Sequence, residues 1–270
     1  MKTWFVTGAT RGLGHAWIEG ALERGDRVAA SGREIDLLDG FAARFGDMLL
    51  PIRLDITDRD AVFAALSRAR EHFGRLDVIV ANAGYGLFGT IEETGEAQAR
   101  AQFEANFFGT LWTLQAAIPV LRAQQGGHIM ITTSLAGVIT FPTAGIYNAT
   151  KWATEGLGET LAKEVSDFGI RVTMIEPGGF ATDWNGSSAS HATPMAEYAP
   201  LRERLAAAHG DSARGEPEAS AKAILAAADA ETPPLRLFLG PMGLPAAKAA
   251  FAERTAAWEE WREISDAAAG

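Results

Sequence analysis

The feature that most narrows the fold stands at the start of the chain. Thr3-Trp4-Phe5-Val6 is a short apolar run, and it leads into Thr7-Gly8-Ala9-Thr10-Arg11-Gly12-Leu13-Gly14. A helical spacing follows through Ala16, Ile18 and Leu22. Strand, glycine turn, helix is the opening of a nucleotide-binding α/β fold. Glycines let the backbone turn tightly and approach a pyrophosphate, and the amides of the helix N-terminus favour that anion. The spacing is Gly-x-x-x-Gly-x-Gly rather than the common Gly-x-Gly-x-x-Gly, and taken alone it also fits a tight turn with no ligand.

The rest of the chain repeats the alternation. Strand candidates fall at 3–6, 27–31, 48–54, 77–81, 128–132, 171–175 and 235–239, each bounded by Gly, Asp, Asn or Pro. Helical spacing fills 61–73, 97–121, 147–168 and 219–228. Such alternation predicts parallel strands joined by right-handed crossovers. Val78-Ile79-Val80 and Ile129-Met130-Ile131 lack polar alternation, as strands buried on both faces do. The expected fold is a doubly wound, Rossmann-type α/β sandwich around a seven-stranded, mostly parallel sheet, with residues 1–270 as one domain. Gly25 should end the first helix, and Thr57-Asp58-Arg59-Asp60 supplies a capping oxygen for the helix at 61–73. Pro51 leaves the start of the third strand open. Residues 183–215 are irregular and are expected to form a substrate loop. Residues 245–269 read as one terminal helix, whose Phe251, Trp258 and Trp261 could share a face; Trp258 and Trp261 could cap the pocket or meet a partner chain, with packing on the chain's own core as the default.

Composition excludes several classes. The net charge of −10 and pI near 5.0 disfavour a nucleic-acid partner. The absence of cysteine rules out disulfides and thiolate chemistry. The five histidines show no metal-ligand spacing, so no metal is expected. No long apolar segment and no leader precede the first strand, so the expectation is a cytoplasmic protein without a membrane partner.

An NAD-preferring site usually carries an acid about 20 residues beyond the glycine loop. Here the second strand ends in Ser31-Gly32-Arg33. Gly32 stands where the acid is expected. Arg33 and Arg11 with no carboxylate suit the ribose 2′-phosphate of NADP(H), and Ser31 offers a further donor. Solvated surface arginines are the bland alternative.

Tyr147-Asn148-Ala149-Thr150-Lys151 opens a helical stretch, and the i, i+4 spacing puts phenol and ammonium on one face. A nearby cation should lower the phenol's pKa towards acid/base work. Around this pair stand Thr132-Thr133-Ser134 at a strand end, Asn82-Ala83-Gly84 at another, Asn106 on the helix between them, and Pro177-Gly178 followed by Thr182.

In order and spacing this set resembles the short, non-extended subtype of the short-chain dehydrogenase/reductase family, over roughly residues 2–182 with the last strand also fitting. The resemblance implies that Ser134 bonds the substrate oxygen, Tyr147 exchanges a proton with it, and Lys151 holds ribose and tunes the tyrosine. It implies that Asn106 holds a helix distortion and a relay water. It assigns to the cofactor Gly8, Thr10, Arg11, Gly12, Leu13, Gly14, Ser31, Arg33, Asp55, Ile56, Asn82, Ala83, Gly84, Pro177, Gly178 and Thr182, with Asp55 meeting the adenine amino group and Thr182 the carboxamide.

The implied activity is NADP(H)-linked interconversion of a carbonyl and an alcohol, chiefly reduction. The expected substrate is small and hydrophobic, held by 84–90, 135–146 and 183–214, with Trp184 and His191 in the covering loop. Homodimers or homotetramers pairing through 97–121 and 147–168 are expected by the same resemblance. An NADP(H)-binding regulator would be expected to lack Tyr147, Lys151 or Ser134. A sugar-nucleotide epimerase or dehydratase would carry Gly-x-x-Gly-x-x-Gly and a larger C-terminal domain. This chain shows neither pattern.

Overall fold

A computed structural model describes residues 1–186, 188–209 and 214–269. Parts of the expected substrate loop, residue 187 and residues 210–213, therefore lie outside the described residues. The strands are β1 Thr3–Thr7, β2 Arg27–Gly32, β3 Leu49–Arg53, β4 Val78–Ala81, β5 Leu87–Phe88, β6 Gly127–Thr132, β7 Ile170–Pro177, β8 Ser190–His191 and β9 Arg236–Leu239. The helices are α1 Gly12–Glu23, α2 Asp39–Phe45, α3 Arg59–Phe73, α4 Glu96–Phe103, α5 Gly109–Ala123, α6 Gly145–Glu164, α7 Ala199–His209, α8 Pro217–Asp229, α9 Gly243–Glu260 and α10 Arg262–Ala267.

Seven strands form one sheet in the order β3-β2-β1-β4-β6-β7-β9, with every neighbouring pair parallel. Successive side chains enter opposite layers. Phe5, Ile79, Ile129 and Ile131 meet Leu66 of α3, Leu114 of α5 and Leu161 of α6. Trp4, Val6, Val78, Val80 and Met130 meet Trp17 and Ile18 of α1 and Ile224 of α8. Two-sided burial explains why these strands read as unbroken apolar runs. Pro51 lies in β3, the sheet's edge, where its missing N–H costs no ladder bond to an outer neighbour.

The strand order reverses between β1 and β4. Such a reversal, beyond the C-terminal strand ends, is the usual ligand position in these sheets. The glycine loop leaves β1, and Asn82 leaves β4, at that point. Gly25, at φ +88°, follows the end of α1. Asp58 accepts a bond from the Ala61 N–H and caps α3.

Two expectations change. The stretch 97–121 is not one helix: a π-helical turn, Glu104–Phe108, separates α4 from α5. The terminal stretch is not one core-packed helix. It breaks at Trp261, and only its first turns pack: Ala246 and Ala247 join Phe238, Leu135 and Val138. Arg254 stacks over Trp152 of α6. Beyond it, Trp258 and Trp261 stand 63% and 59% exposed. Among the described residues no helix is long and apolar enough to cross a membrane.

Candidate active site

The glycine loop is built for close backbone approach. A Cβ on Gly8, at φ +63°, would sit 2.8 Å from Ala83 Cα, and one on Gly14 would sit 2.3 Å from the Gly8 carbonyl oxygen. Asn82 fastens the loop. Its amide donates to the Thr7 and Gly8 carbonyls at 3.1 and 3.0 Å, and its side-chain oxygen accepts from the Thr132 hydroxyl. The Thr7 hydroxyl accepts from the Asn82 and Ala83 N–H groups. Asn82 thus ties β1, β4 and β6 together, and Ala83 and Gly84 follow it along the crevice wall.

The start of α1 fits a dinucleotide's pyrophosphate. Arg11 at the N-cap gives no side-chain cap, and no acid stands in the first turn, so the Gly12, Leu13 and Gly14 amides keep their positive end open. The Leu13 side chain packs into the core below. Thr182 lies across this end, with its methyl 3.6 Å from where a Gly12 Cβ would stand. The Thr182 hydroxyl accepts from the Trp184 N–H. Pro177 ends β7, and the Gly178 N–H donates to the Leu239 carbonyl.

The second-phosphate region differs in part from the sequence expectation. Ser31 is fully buried and donates to the Val6 carbonyl, so it faces the sheet and not a phosphate. The pleat sets this, since its neighbours in β2 alternate between the two layers. A carboxylate is present after all: Glu34 pairs with Arg11 at 2.5 Å. Both partners are more than half exposed, so the pair is weak and open to exchange. Arg33 is exposed, and its charge acts on Asp55 and Tyr85. An acid at position 32 meets an obstacle, because its Cβ would fall 2.7 Å from Thr10 Cγ2. Asp55 accepts from the Thr57 N–H and hydroxyl, and these bonds hold its carboxyl below the ordinary range. Ile56 packs against Gly109 at the start of α5.

Tyr147 and Lys151 share one face of α6. Both are buried, at 6% and 5% exposure, and the ammonium lies 5.8 Å from the phenol ring centroid. Lys151 Nζ donates to the Thr132 carbonyl at 2.8 Å. Ser134 follows the end of β6; its Oγ accepts from the Ala136 N–H, and its hydroxyl acts on the Tyr147 phenol. The expected lowering of the phenol's pKa is not what this arrangement gives. Burial pushes Tyr147 up to about 12, against the opposing Ser134 bond. Burial likewise pushes Lys151 down to about 8, against the nearby Glu155. Desolvation sets the direction for both groups.

Asn106 lies within the π-helical turn and is fully buried. Its oxygen accepts from the Tyr85 N–H and its amide donates to the Tyr85 carbonyl, both at 3.0 Å. It therefore clamps the loop after β4 onto the helix. A Cβ on Gly84 would stand 3.0 Å from the Asn106 oxygen.

The phenol's other neighbours are aromatic. Trp184 meets Tyr147 edge-on at 5.0 Å and Phe88 at 5.3 Å, and His191 stacks on Phe88. The paired β5 and β8 carry Phe88 and His191. Glu93, which the sequence did not single out, holds this cover in place. It accepts from the Thr90 and Met195 N–H groups and pairs with Arg202, and these contacts push its pKa down to about 2.

A dinucleotide crevice with Ser134, Tyr147 and Lys151 beside it defines an oxidoreductase built on a Rossmann sheet. The family model described as short chain dehydrogenase matches residues 2–193. The oxidoreductase BOA17 of Botryotinia fuckeliana is 39% identical over 99% of each chain. A solved short-chain dehydrogenase from Streptomyces avermitilis is 34% identical, with a TM-score of 0.91 over 99% of this chain and 100% of that one. An alcohol dehydrogenase from the archaeon Thermococcus sibiricus, solved with 5-hydroxy-NADP, is 28% identical, with a TM-score of 0.73 over 88% of this chain and 96% of that one. The chain belongs to the short-chain dehydrogenase/reductase family.

Proposed function

We propose that this oxidoreductase uses NADP(H) to interconvert a carbonyl and a secondary or primary alcohol, chiefly in the reducing direction. The observation that carries the reading is the buried phenol of Tyr147, acted on by Ser134 and one helical turn from the buried Lys151. A phenol pushed up to about 12 stays protonated at neutral pH, the form that donates to a carbonyl oxygen.

Ser134 and Tyr147 would bond the substrate oxygen, and Tyr147 would pass it a proton as the alcohol forms. The nicotinamide, when bound, supplies the hydride. Lys151 would hold the ribose and stabilise the phenolate that proton donation leaves. Trp184 and Phe88 would exclude water and favour a small hydrophobic substrate. NADP(H) over NAD(H) is supported by exposed Arg33 and by the Thr10 methyl that crowds an acid at position 32. A homodimer or homotetramer in the cytoplasm completes the reading.

The test is NADPH consumption against a panel of ketones and aldehydes. Turnover that is lost in Tyr147→Phe, with NADPH binding retained, supports the reading. Turnover at the wild-type rate in that variant removes Tyr147 from the chemistry.

A further inference from the structure

One turn beyond Lys151, α6 carries a second buried charge cluster that the reaction does not use directly. Glu155 is 5% exposed, and Glu176, on β7, is fully buried. Arg236 on β9 reaches both. Its Nε donates to Glu155 Oε2 at 3.0 Å and lies 3.6 Å from Glu176 Oε1, while its NH2 donates to Glu159 Oε2 at 2.8 Å. One guanidinium therefore faces three carboxyl groups, two of them buried. Glu155 Oε1 and both Glu176 oxygens are buried without a hydrogen-bond partner. Two bare carboxylates in that position would be strongly unfavourable, and a proton held between them relieves both the repulsion and the missing bond. Burial and the neighbouring Glu155 push Glu176 up to about 8, in keeping with that shared proton.

The charged and titratable groups around the pair are Lys151 and Glu159 from α6 and Arg236 from β9. The Thr133 hydroxyl acts on Glu155 while it donates to the Ile175 carbonyl. Of these, Lys151 needs the pair most. It is buried, its bond goes to a neutral carbonyl, and the charge of Glu155 favours its ammonium.

We propose that Glu155 and Glu176 form a proton-sharing carboxyl pair whose single negative charge keeps Lys151 an ammonium. They are positioning residues for the Tyr147–Lys151 site. The inference draws its catalytic meaning from the proposed function, but its test reads the charge on Lys151 without substrate or cofactor.

The pair's two members make opposite predictions. In Glu155→Gln the charge nearest Lys151 is removed, and the lysine loses its proton at lower pH. In Glu176→Gln the competitor for ionisation is removed, so Glu155 carries the full charge and the lysine keeps its proton to equal or higher pH. The experiment is an NMR titration of lysine 13Cε in the full chain, with the Lys151 signal assigned by its loss in Lys151→Arg. The expected midpoint falls by about 1 pH unit in Glu155→Gln and does not fall in Glu176→Gln. A merely structural role would lower the melting temperature in both variants and leave the midpoint alone. An unmoved midpoint in Glu155→Gln, or an equal fall in both, overturns the proposal.

Should either variant fail to fold, wild-type protein with 13C-labelled glutamate carboxyls decides. A carboxyl that titrates above the ordinary range, in step with a change at Lys151, is the expected result. The absence of any such carboxyl overturns it. If the NMR outcome holds and no carbonyl is reduced, the proposed reaction falls and the pair stands. If reduction is found and the midpoint does not move, only the pair falls.

Discussion

Tyr147 shows how far burial can override a neighbour. The sequence places the lysine correctly, one turn along the same face, yet it carries no measure of how dry the site is. In the folded chain both groups are desolvated, so the phenol rises and the lysine drops. Two outcomes follow for activity. Tyr147→Phe should lower the carbonyl-reduction rate by about 10²- to 10⁴-fold, the usual worth of a general acid, with NADPH affinity unchanged by fluorescence titration. The rate should also decline as pH rises through about 8, because the Lys151 ammonium is lost there while the phenol is still protonated. A flat pH–rate profile across that range would count against a role for the lysine's charge. The cofactor's phosphate is likewise a residue-scale matter. Arg33→Ala should weaken NADPH binding by about 10- to 100-fold, the worth of charge-assisted bonds of about 1.5–3 kcal/mol, and leave NADH binding unaltered. Equal losses for both cofactors would show that Arg33 does not meet the 2′-phosphate. Ser31 was legible as a hydroxyl beside the expected phosphate but not as one spent on the Val6 carbonyl, since its direction is fixed by the pleat of a strand whose bounds the sequence gives only loosely.

Among the elements, the strands of the main sheet were legible because each is short, apolar and ended by a residue with a turn mechanism. Gly25 could be assigned from local chemistry alone, and the cap of α3 could be narrowed to the stretch 57–60. The π-helical turn at Glu104–Phe108 could not be read from periodicity, since the apolar spacing runs through it without a break. The family resemblance, rather than the spacing, pointed to a distortion at Asn106. The substrate-side cover was hidden for another reason. Glu93 meets Met195 across 102 residues, and a single acid in a loop carries no local sign of such a partner. Its consequence is testable. Glu93→Gln should leave the sheet and the melting transition largely intact but free the segment around Met195. Limited proteolysis should then cut between Trp184 and Arg202 faster than in wild type, and substrate KM should rise more than kcat falls. Cleavage rates equal to wild type would show that β5–β8 pairing alone holds the cover. The low pKa of Glu93 sets the sign for acid conditions. The clamp is intact above the ordinary carboxylate range and is lost only as pH falls towards about 2, so mild acid should not open the cover.

For the whole molecule, the unanswered surface is the terminal helix. Phe251, Trp258, Trp261 and Ile264 recur at steps of seven, three and three, and they stand 44%, 63%, 59% and 62% exposed. Isolated apolar side chains on a surface need no explanation, but two tryptophans with Phe251 and Ile264, on either side of the break between α9 and α10, form a patch. Aromatic side chains of this size bury about 150–250 Å² each when covered, so the patch supplies a large part of the roughly 800 Å² per partner that a stable interface needs. In the proposed homo-oligomer, a second copy of this chain would cover it. Its like patch is complementary by symmetry, and Arg262 and Glu259 at the rim can exchange their present mutual pair across a two-fold axis. The net charge of −10 opposes close approach of two copies at low salt. Assembly through an apolar patch should therefore strengthen as salt screens that repulsion, opposite to the trend for an interface held by ion pairs. Light scattering coupled to size exclusion should find a dimer or tetramer in wild type, firmer at high salt, and a smaller species in Trp258→Ser/Trp261→Ser with unchanged helix content by circular dichroism. An assembly that survives the double substitution at every salt concentration would assign the interface to another face, and the exposed faces of α4, α5 and α6 would be the next to test.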